Sequence, residues 1–228
     1  GQIHARIFNQ LGAKVCAILG SSNDSSIKTA LMLKNKLDIV VQPFSDLNIL
    51  LKKIKPDAVS ICTPPNLHYE QIITCFDHNA AVFCEKPLFW NKGINLKELE
   101  KKLTHIKNHP NRRLFVNTSN TSFLDQLGLV KPKNLNSFSF IFYTQGKNKR
   151  KEIALDLLPH ALSLLLKLLP INSITNLEEK ITQNKYLCYF DYGDCHVKFE
   201  LQEKEDGPKE LLFKINDRKF TRIQKGKD

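Results

Sequence analysis

The sequence lacks the features that mark several large classes of protein. No apolar run approaches the roughly 20 residues that a membrane-spanning helix needs; ALSLLLKLLP is short and is interrupted by Lys167. The six cysteines form no CxxC pair, and most lie in apolar, strand-like runs, which favours buried reduced thiols over a disulfide framework. No cluster of side chains has metal-ligand spacing, and no repeat or signal peptide is evident. We therefore expect a cytoplasmic globular protein without a membrane segment or a metal.

Positive charge is abundant, but it is not concentrated in one part of the sequence. The net charge is +11, from 34 Lys and Arg against 23 Asp and Glu, and KNKRK at 147–151 is the only dense basic cluster. No nucleic-acid recognition motif accompanies these residues, so nucleic-acid binding rests on charge alone and we expect no such partner. The charge indicates either a generally basic surface or an anionic small ligand, such as a dinucleotide or a phosphorylated sugar.

The pattern along the chain changes near residue 118. Up to that point short apolar runs alternate with helical segments of about 10–15 residues, which predicts a parallel sheet with helices on both faces. Beyond it, one helical segment is followed by alternating, strand-like runs separated by turns, which predicts an α+β domain with a mainly antiparallel sheet. The sequence thus predicts two domains, 1–117 and 118–228.

Two local predictions concern the first helices. Residues 2–11 are predicted to form a helix with Ile3, Ile7 and Leu11 along one apolar stripe. A second predicted helix covers residues 25–37, with Ser25 or Ser26 as its N-cap.

Three segments end strands of the predicted parallel sheet, and ligands bind at that edge of such sheets. They are ILGSS, ICTPPNLH and FCEKP. In the second, His68 lies in the first turn of a helix, where it could hydrogen-bond either a ligand or its own backbone. In the third, Glu85, Lys86 and Pro87 end a buried-type strand. These residues could face a cleft or could simply mark the exit of the chain to solvent.

Asp156 and His160 are four residues apart on one face of a predicted helix. The spacing allows a carboxylate to orient an imidazole. It equally fits an apolar helix that Asp156 caps and in which His160 packs over the core.

Together these motifs resemble the Gfo/Idh/MocA family, named after glucose-fructose oxidoreductase, inositol dehydrogenase and rhizopine catabolism. CTPPNLHYEQIITCFDHNAAVFCEKP resembles the family's Thr-Pro-Pro turn, helix and Glu-Lys-Pro strand end, and LDLLPHALSLLLKLLP resembles its Asp-x-x-x-His helix. GQIHARIFNQLGAKVCAILGSS resembles the first helix and second strand, with Gly1 at the third glycine of the dinucleotide fingerprint. The resemblance implies a Rossmann-type domain followed by a substrate domain. It also implies an NAD(P)-dependent dehydrogenase that acts on sugar-like or cyclic polyol substrates.

The resemblance also implies roles for individual residues. His160 would be the general base, Asp156 its partner, and Lys86 the group that stabilises the reacting oxygen. Lys86-Pro87 would be a cis peptide, and the C-terminal sheet would mediate homo-oligomers. The residues implied to bind the cofactor lie at the strand ends and at Gly1: Gly1, Ser21, Ser22, Thr63, Pro64, Pro65, His68, Glu85, Lys86 and Pro87.

The cofactor choice depends on the end of the second family strand, LGSSND. Ser21 and Ser22 stand where an acidic residue would bind the ribose hydroxyl of NAD, and Lys28 is near, which favours NADP. Asp24 in the same loop argues for NAD.

Two departures from the family pattern bear on function. The first strand and the first two fingerprint glycines do not precede Gly1, so we expect further residues before it; without that strand the sheet would have a hole. The second domain is also short for the family. These departures leave open a non-catalytic dinucleotide-binding sensor or assembly protein on the same scaffold.

Overall fold

The computed structural model describes residues 1–118, 120–129, 132 and 134–222, so the end of the second predicted domain, 223–228, lies outside the described residues. The chain divides into two compact units, Gly1–Asn117 and Thr118–Asp228. No helix within the described ranges is both long and apolar enough to cross a bilayer.

The first unit alternates helices with short parallel strands. In chain order the elements are α1 (Gln2–Gln10), β1 (Ala17–Leu19), α2 (Asn23–Leu37), β2 (Gln42–Phe44), α3 (Leu47–Ile54), β3 (Ala58–Ile61), α4 (Pro65–Asp77), β4 (Ala81–Cys84), α5 (Leu96–Asn108) and β5 (Leu114–Val116). Every strand pairing in this unit is parallel, which confirms the predicted α/β class. The strands form two sheets, in the orders β1-β2 and β3-β4-β5. Within the described residues β1 and β3 do not pair, so the parallel layer is split where a hole was expected.

Helices cover both faces of the three-stranded sheet. Val82 and Cys84 of β4 are buried in a core with Ile72 and Phe76 of α4. Phe83 points to the opposite face because side chains alternate along a strand, and there it meets Phe8 of α1 edge to face at 5.4 Å. Leu50 and Leu51 of α3 and the half-buried Ala17 and Leu19 of β1 belong to the same core as β4, which joins both sheets into one unit.

The helix predicted over residues 2–11 is confirmed as α1 (Gln2–Gln10), whereas the predicted N-cap of the second helix is wrong. The stripe of Ile3, Ile7 and Leu11 is exposed, by 62%, 43% and 77%, and the residue that α1 buries is Ala5. The periodicity was that of a helix, but the helix contacts its neighbours through another face. The N-cap of α2 is Ser22, whose hydroxyl accepts a hydrogen bond from the Ser25 backbone N–H at 3.2 Å, instead of Ser25 or Ser26.

The second unit is a six-stranded sheet packed against one long helix. Its elements are α6 (Thr121–Gln126), β6 (Ser137–Thr144), α7 (Lys151–Leu168), β7 (Ile174–Ile181), β8 (Lys185–Tyr192), β9 (Cys195–Glu203), β10 (Glu210–Ile215) and β11 (Arg218–Thr221). The strand order is β11-β10-β6-β9-β8-β7, and all pairs are antiparallel except β6 with β9. The predicted mainly antiparallel sheet is therefore confirmed. Helix α6 and the turn between β10 and β11 were not predicted.

A single core fixes α7 on this sheet. The helix buries Ile153, Leu157, Leu164 and Leu168, and the sheet presents a set of phenylalanines that includes Phe199. At about 25 cal/mol per Å² of buried apolar area, each such aliphatic side chain stabilises the unit by roughly 1.5–3 kcal/mol. The six cysteines are all free thiols.

Candidate functional site

The carboxyl ends of β3, β4 and β5 lie side by side. Ile61 is in register with Cys84, and Cys84 with Val116, so the residues that follow each strand are neighbours at one sheet edge. The structure thus brings the Thr63–Pro65 turn and the Glu85–Pro87 turn together, as the sequence predicted.

A hydrogen-bonded network joins this edge to α1. One carboxylate oxygen of Glu85, Oε1, accepts a hydrogen bond from Asn117 Nδ2 at 2.8 Å and lies 2.8 Å from His4 Nε2. The other ring nitrogen of His4 lies 2.8 Å from Ser60 Oγ and 3.1 Å from Cys62 Sγ. The Glu85 carboxylate can only accept a hydrogen bond, so Nε2 of His4 carries the hydrogen. In a neutral His4, Nδ1 is then the acceptor for the Ser60 hydroxyl and the Cys62 thiol. The network therefore fixes the first turn of α1 at the carboxyl ends of β3 and β4.

His68 joins the two turns from inside the protein. Its side chain is fully buried, with Nε2 2.7 Å from the Thr63 carbonyl oxygen and Nδ1 3.1 Å from that of Pro87. The ring therefore bonds backbone, the second of the two alternatives open from the sequence, and shapes both turns. Its neighbour Thr63 donates its hydroxyl proton to Gln71 Oε1 at 2.6 Å. The Lys86–Pro87 peptide bond is cis, as the resemblance implied.

Replacing His68 with alanine should lower the free energy of unfolding by about 1–3 kcal/mol, because it leaves a partly buried backbone carbonyl without the imidazole N–H donor. Equilibrium urea unfolding measures this change. His105→Ala is the matched control, since His105 is exposed and its ring contacts the Tyr69 hydroxyl at 2.8 Å; it should change stability by about 0.5 kcal/mol or less. Equal stability of His68→Ala and the wild type would show that the buried bonds of His68 contribute nothing.

The residues at the start of α1 fit the phosphates of a dinucleotide. Gly1 is the N-cap of α1, and as a glycine it carries no side chain that could occupy the space before the first turn. The backbone N–H groups of a first helical turn bind anionic phosphates. His4 ties this turn to Glu85, at the sheet edge where such a ligand would lie.

Ser21 and Ser22 follow β1, in the other sheet of the first unit. Ser21 is exposed, whereas the Ser22 hydroxyl is engaged as the cap of α2. Gly20 allows the strand end to approach α2 closely, since an added Cβ would lie 2.6 Å from the Ser26 backbone nitrogen. Asp24 lies in the first turn of α2.

In the second unit, Asp156 and His160 lie in the interior of α7. The helix starts at Lys151 with Arg150 as its N-cap, so the alternative in which Asp156 caps the helix is wrong. Both residues are half-buried, and the His160 ring meets Phe142 of β6 edge to face at 5.5 Å between centroids. The spacing of four residues places the two side chains on the same helix face.

A buried carboxyl group accompanies Asp156. Glu203, the last residue of β9, is 1% exposed, and it accepts hydrogen bonds from the Asn148 backbone N–H at 3.0 Å and from Asn148 Nδ2 at 2.8 Å. The same Asn148 Nδ2 lies 3.5 Å from Asp156 Oδ2. Burial raises the pKa of the Glu203 carboxyl, and the hydrogen bond and charge of Asp156 raise it further, against the lowering effect of Asn148.

Sequence reasoning did not identify His4, Asn117, Asn148 or Glu203 as parts of these networks. His4 lies 56 residues from Ser60 and 81 from Glu85 in sequence, so no local pattern connects them. Glu203 ends an alternating strand on a position that faces inward, and an inward-facing acid is a signal that the pattern contained.

Comparison with known proteins places residues 1–118 in one family model, described as an oxidoreductase family with an NAD-binding Rossmann fold. A myo-inositol 2-dehydrogenase of Thermotoga maritima is 27% identical over 107 residues. That region covers 47% of this chain and 30% of the relative, so the chain spans less than a third of that protein's length.

Solved structures resemble both units. The WlbA (WbpB) dehydrogenase of Thermus thermophilus in complex with NAD and UDP-GlcNAcA has a TM-score of 0.70 at 15% identity, over 97% of this chain and 79% of that one. The scyllo-inositol dehydrogenase of Lactobacillus casei with bound NAD(H) and scyllo-inositol has a TM-score of 0.71 at 13% identity, over 98% and 74%. At these identities the similarity shows a shared fold.

Proposed function

Since the chain belongs to the Gfo/Idh/MocA oxidoreductase family with an NAD-binding Rossmann fold, we propose that it transfers a hydride between a nicotinamide cofactor and a sugar-like or cyclic polyol substrate. The observation that supports this most is the network of His4, Glu85 and Asn117, which fixes the start of α1 at the carboxyl edge of the parallel sheet. That edge is where open α/β sheets bind dinucleotides.

In this proposal the start of α1 and the two turns hold the cofactor. The backbone of α1 behind Gly1 binds phosphate, and Thr63, Pro64 and Pro65 line the site with a stiff turn that His68 holds from behind. Glu85 acts by fixing α1, whereas Lys86 and Pro87 follow it at the same edge. A bound nicotinamide cofactor supplies the hydride chemistry, and the protein supplies position and electrostatics.

The proton and the charge on oxygen are handled by three side chains. In the direction of oxidation, the substrate hydroxyl loses its proton to a ring nitrogen of His160 as the hydride leaves the carbon. Asp156, one turn earlier on α7, stabilises the imidazolium that forms. The Lys86 ammonium stabilises the negative charge that develops on the oxygen.

Cofactor binding is the first test. Titration of NADPH and of NADH into the protein, followed by nicotinamide fluorescence, should show saturable binding, with NADPH binding more tightly. The reason is that the end of β1 presents Ser21 and not an acid, while Lys28 is exposed one turn after Asp24. Tighter binding of NADH would assign the 2′-hydroxyl to Asp24 and reverse the proposed preference. No binding of either form would contradict both the enzyme and the non-catalytic alternative.

A turnover assay distinguishes the enzyme from the non-catalytic alternative. Incubation with cofactor and a panel of myo-inositol, scyllo-inositol and UDP-GlcNAcA, chosen from what the similar proteins bind or are named for, should produce reduced nicotinamide with at least one compound. Binding of cofactor without turnover of any tested polyol or sugar would favour a dinucleotide-binding sensor or assembly protein.

A further inference from the structure

Cys62 directly follows β3 and has no part in the proposed hydride transfer. Its sulfur lies 3.1 Å from Nδ1 of His4, and Nε2 of the same ring lies 2.8 Å from Glu85 Oε1. Asn117 Nδ2 donates a hydrogen bond to that carboxylate oxygen at 2.8 Å. A thiol beside an imidazole that is in turn oriented by a carboxylate is an arrangement that activates a cysteine as a nucleophile.

The surroundings of Cys62 differ from those of the other thiols. Four of the six thiols are buried, and burial raises the pKa of each of them: Cys75, Cys84, Cys188 and Cys195. Cys84 lies 3.4 Å from His68 Nδ1, but both side chains are fully buried, and the His68 ring bonds backbone carbonyl oxygens. Cys16 and Cys62 are half-buried, and the contacts of His4 described above do not include Cys16. Cys62 therefore combines access to reagents with an adjacent imidazole.

The direction of the hydrogen bonds suits removal of the thiol proton. Because Nε2 of His4 donates to Glu85, Nδ1 is the ring atom with a lone pair, and it is the atom that faces the sulfur. When Nδ1 takes the proton, the imidazolium lies between the thiolate and the Glu85 carboxylate, and both anions stabilise it. The Ser60 hydroxyl shares Nδ1 at 2.8 Å and lies 3.6 Å from the sulfur, so it can donate to the thiolate once Nδ1 is protonated.

We propose that Cys62 is a nucleophilic thiol, activated by His4, and a site at which soft electrophiles modify the protein. With iodoacetamide, His4 Nδ1 takes the thiol proton, the sulfur forms a bond to the methylene carbon, and the carbon–iodine bond breaks to release iodide. The imidazolium then gives its proton to solvent. The adduct occupies the space beside Nδ1 and loosens the first turn of α1, where the cofactor phosphates are proposed to bind. The effect on the cofactor rests on the proposed function, whereas the reactivity of the thiol does not.

Alkylation rates resolved by site test the reactivity of Cys62. The wild-type protein is treated with iodoacetamide at neutral pH, and mass spectrometry follows the peptide of each cysteine over time. Cys62 should react at least about tenfold faster than Cys16, the other half-buried thiol, because an unassisted thiol is only a few per cent thiolate at this pH. Equal rates at the two sites, or a slower rate at Cys62, would overturn the proposal.

Two variants of the network show whether His4 is the cause. His4→Gln keeps polar atoms but has no basic nitrogen, so the ratio of the Cys62 rate to the Cys16 rate should fall by about tenfold. Glu85→Gln should lower the ratio less, because it removes only the carboxylate that stabilises the imidazolium. Cys16 follows α1 in the chain, so a general loosening of this region raises both rates and leaves their ratio to report on His4. A ratio that stays at its wild-type value in both variants would contradict activation by His4.

The NADPH titration tests the consequence for cofactor binding. Wild-type protein that is fully alkylated at Cys62 should bind NADPH about tenfold more weakly than untreated protein, a coupling of ordinary size between adjacent sites. Cys62→Ser treated in the same way is the control: its other thiols still meet the reagent, and it should keep the affinity of untreated protein. Unchanged affinity in the alkylated wild type would overturn this coupling. If untreated wild type binds no NADPH, the proposed function fails instead, and the ratio of alkylation rates still decides the reactivity of Cys62.

Discussion

Replacing His160 with alanine should lower kcat by about 10²–10⁴-fold, the usual contribution of a general acid–base group. The imidazole is the proposed acceptor of the substrate's hydroxyl proton, and alanine offers no acceptor. Affinity for the nicotinamide cofactor should change little, because the cofactor residues proposed above lie in the first unit and His160 in the second. Steady-state kinetics with the best substrate of the panel, together with the cofactor titration, measures both quantities.

The control for this experiment must separate chemistry from packing. The His160 ring packs edge to face on Phe142, so its removal also creates a cavity. His160→Gln fills most of that space and keeps hydrogen-bonding atoms, but it is not a base near neutral pH; it should lose nearly as much activity as alanine while retaining the melting temperature. His196 is an exposed histidine of the same unit, with its side chain 81% accessible, and His196→Ala should leave kcat unchanged. Full activity in His160→Gln would contradict the assignment of the base.

The parallel sheets of the first unit show which features of the fold the sequence pattern alone could predict. Alternation of short apolar runs with helices predicted the α/β class, and the turns at Thr63 and Glu85 were predicted at one edge because parallel strands end on the same side. Those inferences need only the period of the pattern and the direction of the strands. To predict which face of a helix is buried, the element that packs against the helix must also be known. The exposed stripe of Ile3 and Leu11 shows that an apolar stripe alone does not identify the buried face.

Side-chain networks were beyond prediction for a related reason. The bond from His4 to Glu85 depends on α1 crossing Phe83 of β4, and the fit of Glu203 depends on a glycine 57 residues earlier in the chain. Both arise from tertiary placement that no local propensity encodes. The turn between β10 and β11 had a local signal, since Asn216 adopts a φ of 50° and Asn tolerates the left-handed region. It was missed because the alternating pattern runs through it.

The state of the cysteines could be predicted from their sequence surroundings alone. Four of the six are buried, and burial raises the pKa of Cys75 and of Cys84 to about 12. A thiol with such a pKa stays protonated at neutral pH and is a poor nucleophile. These two thiols therefore pack as small apolar groups in the core of the first unit, as their apolar sequence surroundings indicated.

Replacing Lys86 with alanine should lower kcat by about 10²–10³-fold, the usual cost of removing one group that stabilises developing negative charge on oxygen. Lys86→Arg should restore only part of the activity, because a planar guanidinium cannot replace a compact ammonium at the same point. Lys92→Ala is the matched control, since Lys92 is an exposed lysine six residues further along the chain, and it should retain full turnover.

The double variant Lys86→Ala/His160→Ala then decides whether the two side chains serve one transition state. Groups that act together in catalysis are strongly non-additive: once the proton acceptor is gone, the charge that Lys86 stabilises no longer develops in the same way. We therefore expect the double variant to lose clearly less than the product of the two single losses, with a residual rate close to that of His160→Ala. A loss equal to the product would mean that Lys86 and His160 act independently, and Lys86 would then belong with the residues that bind the cofactor. The two outcomes differ by about the whole effect of Lys86→Ala, a factor of about 10²–10³, which stopped assays resolve provided the single variants keep measurable activity.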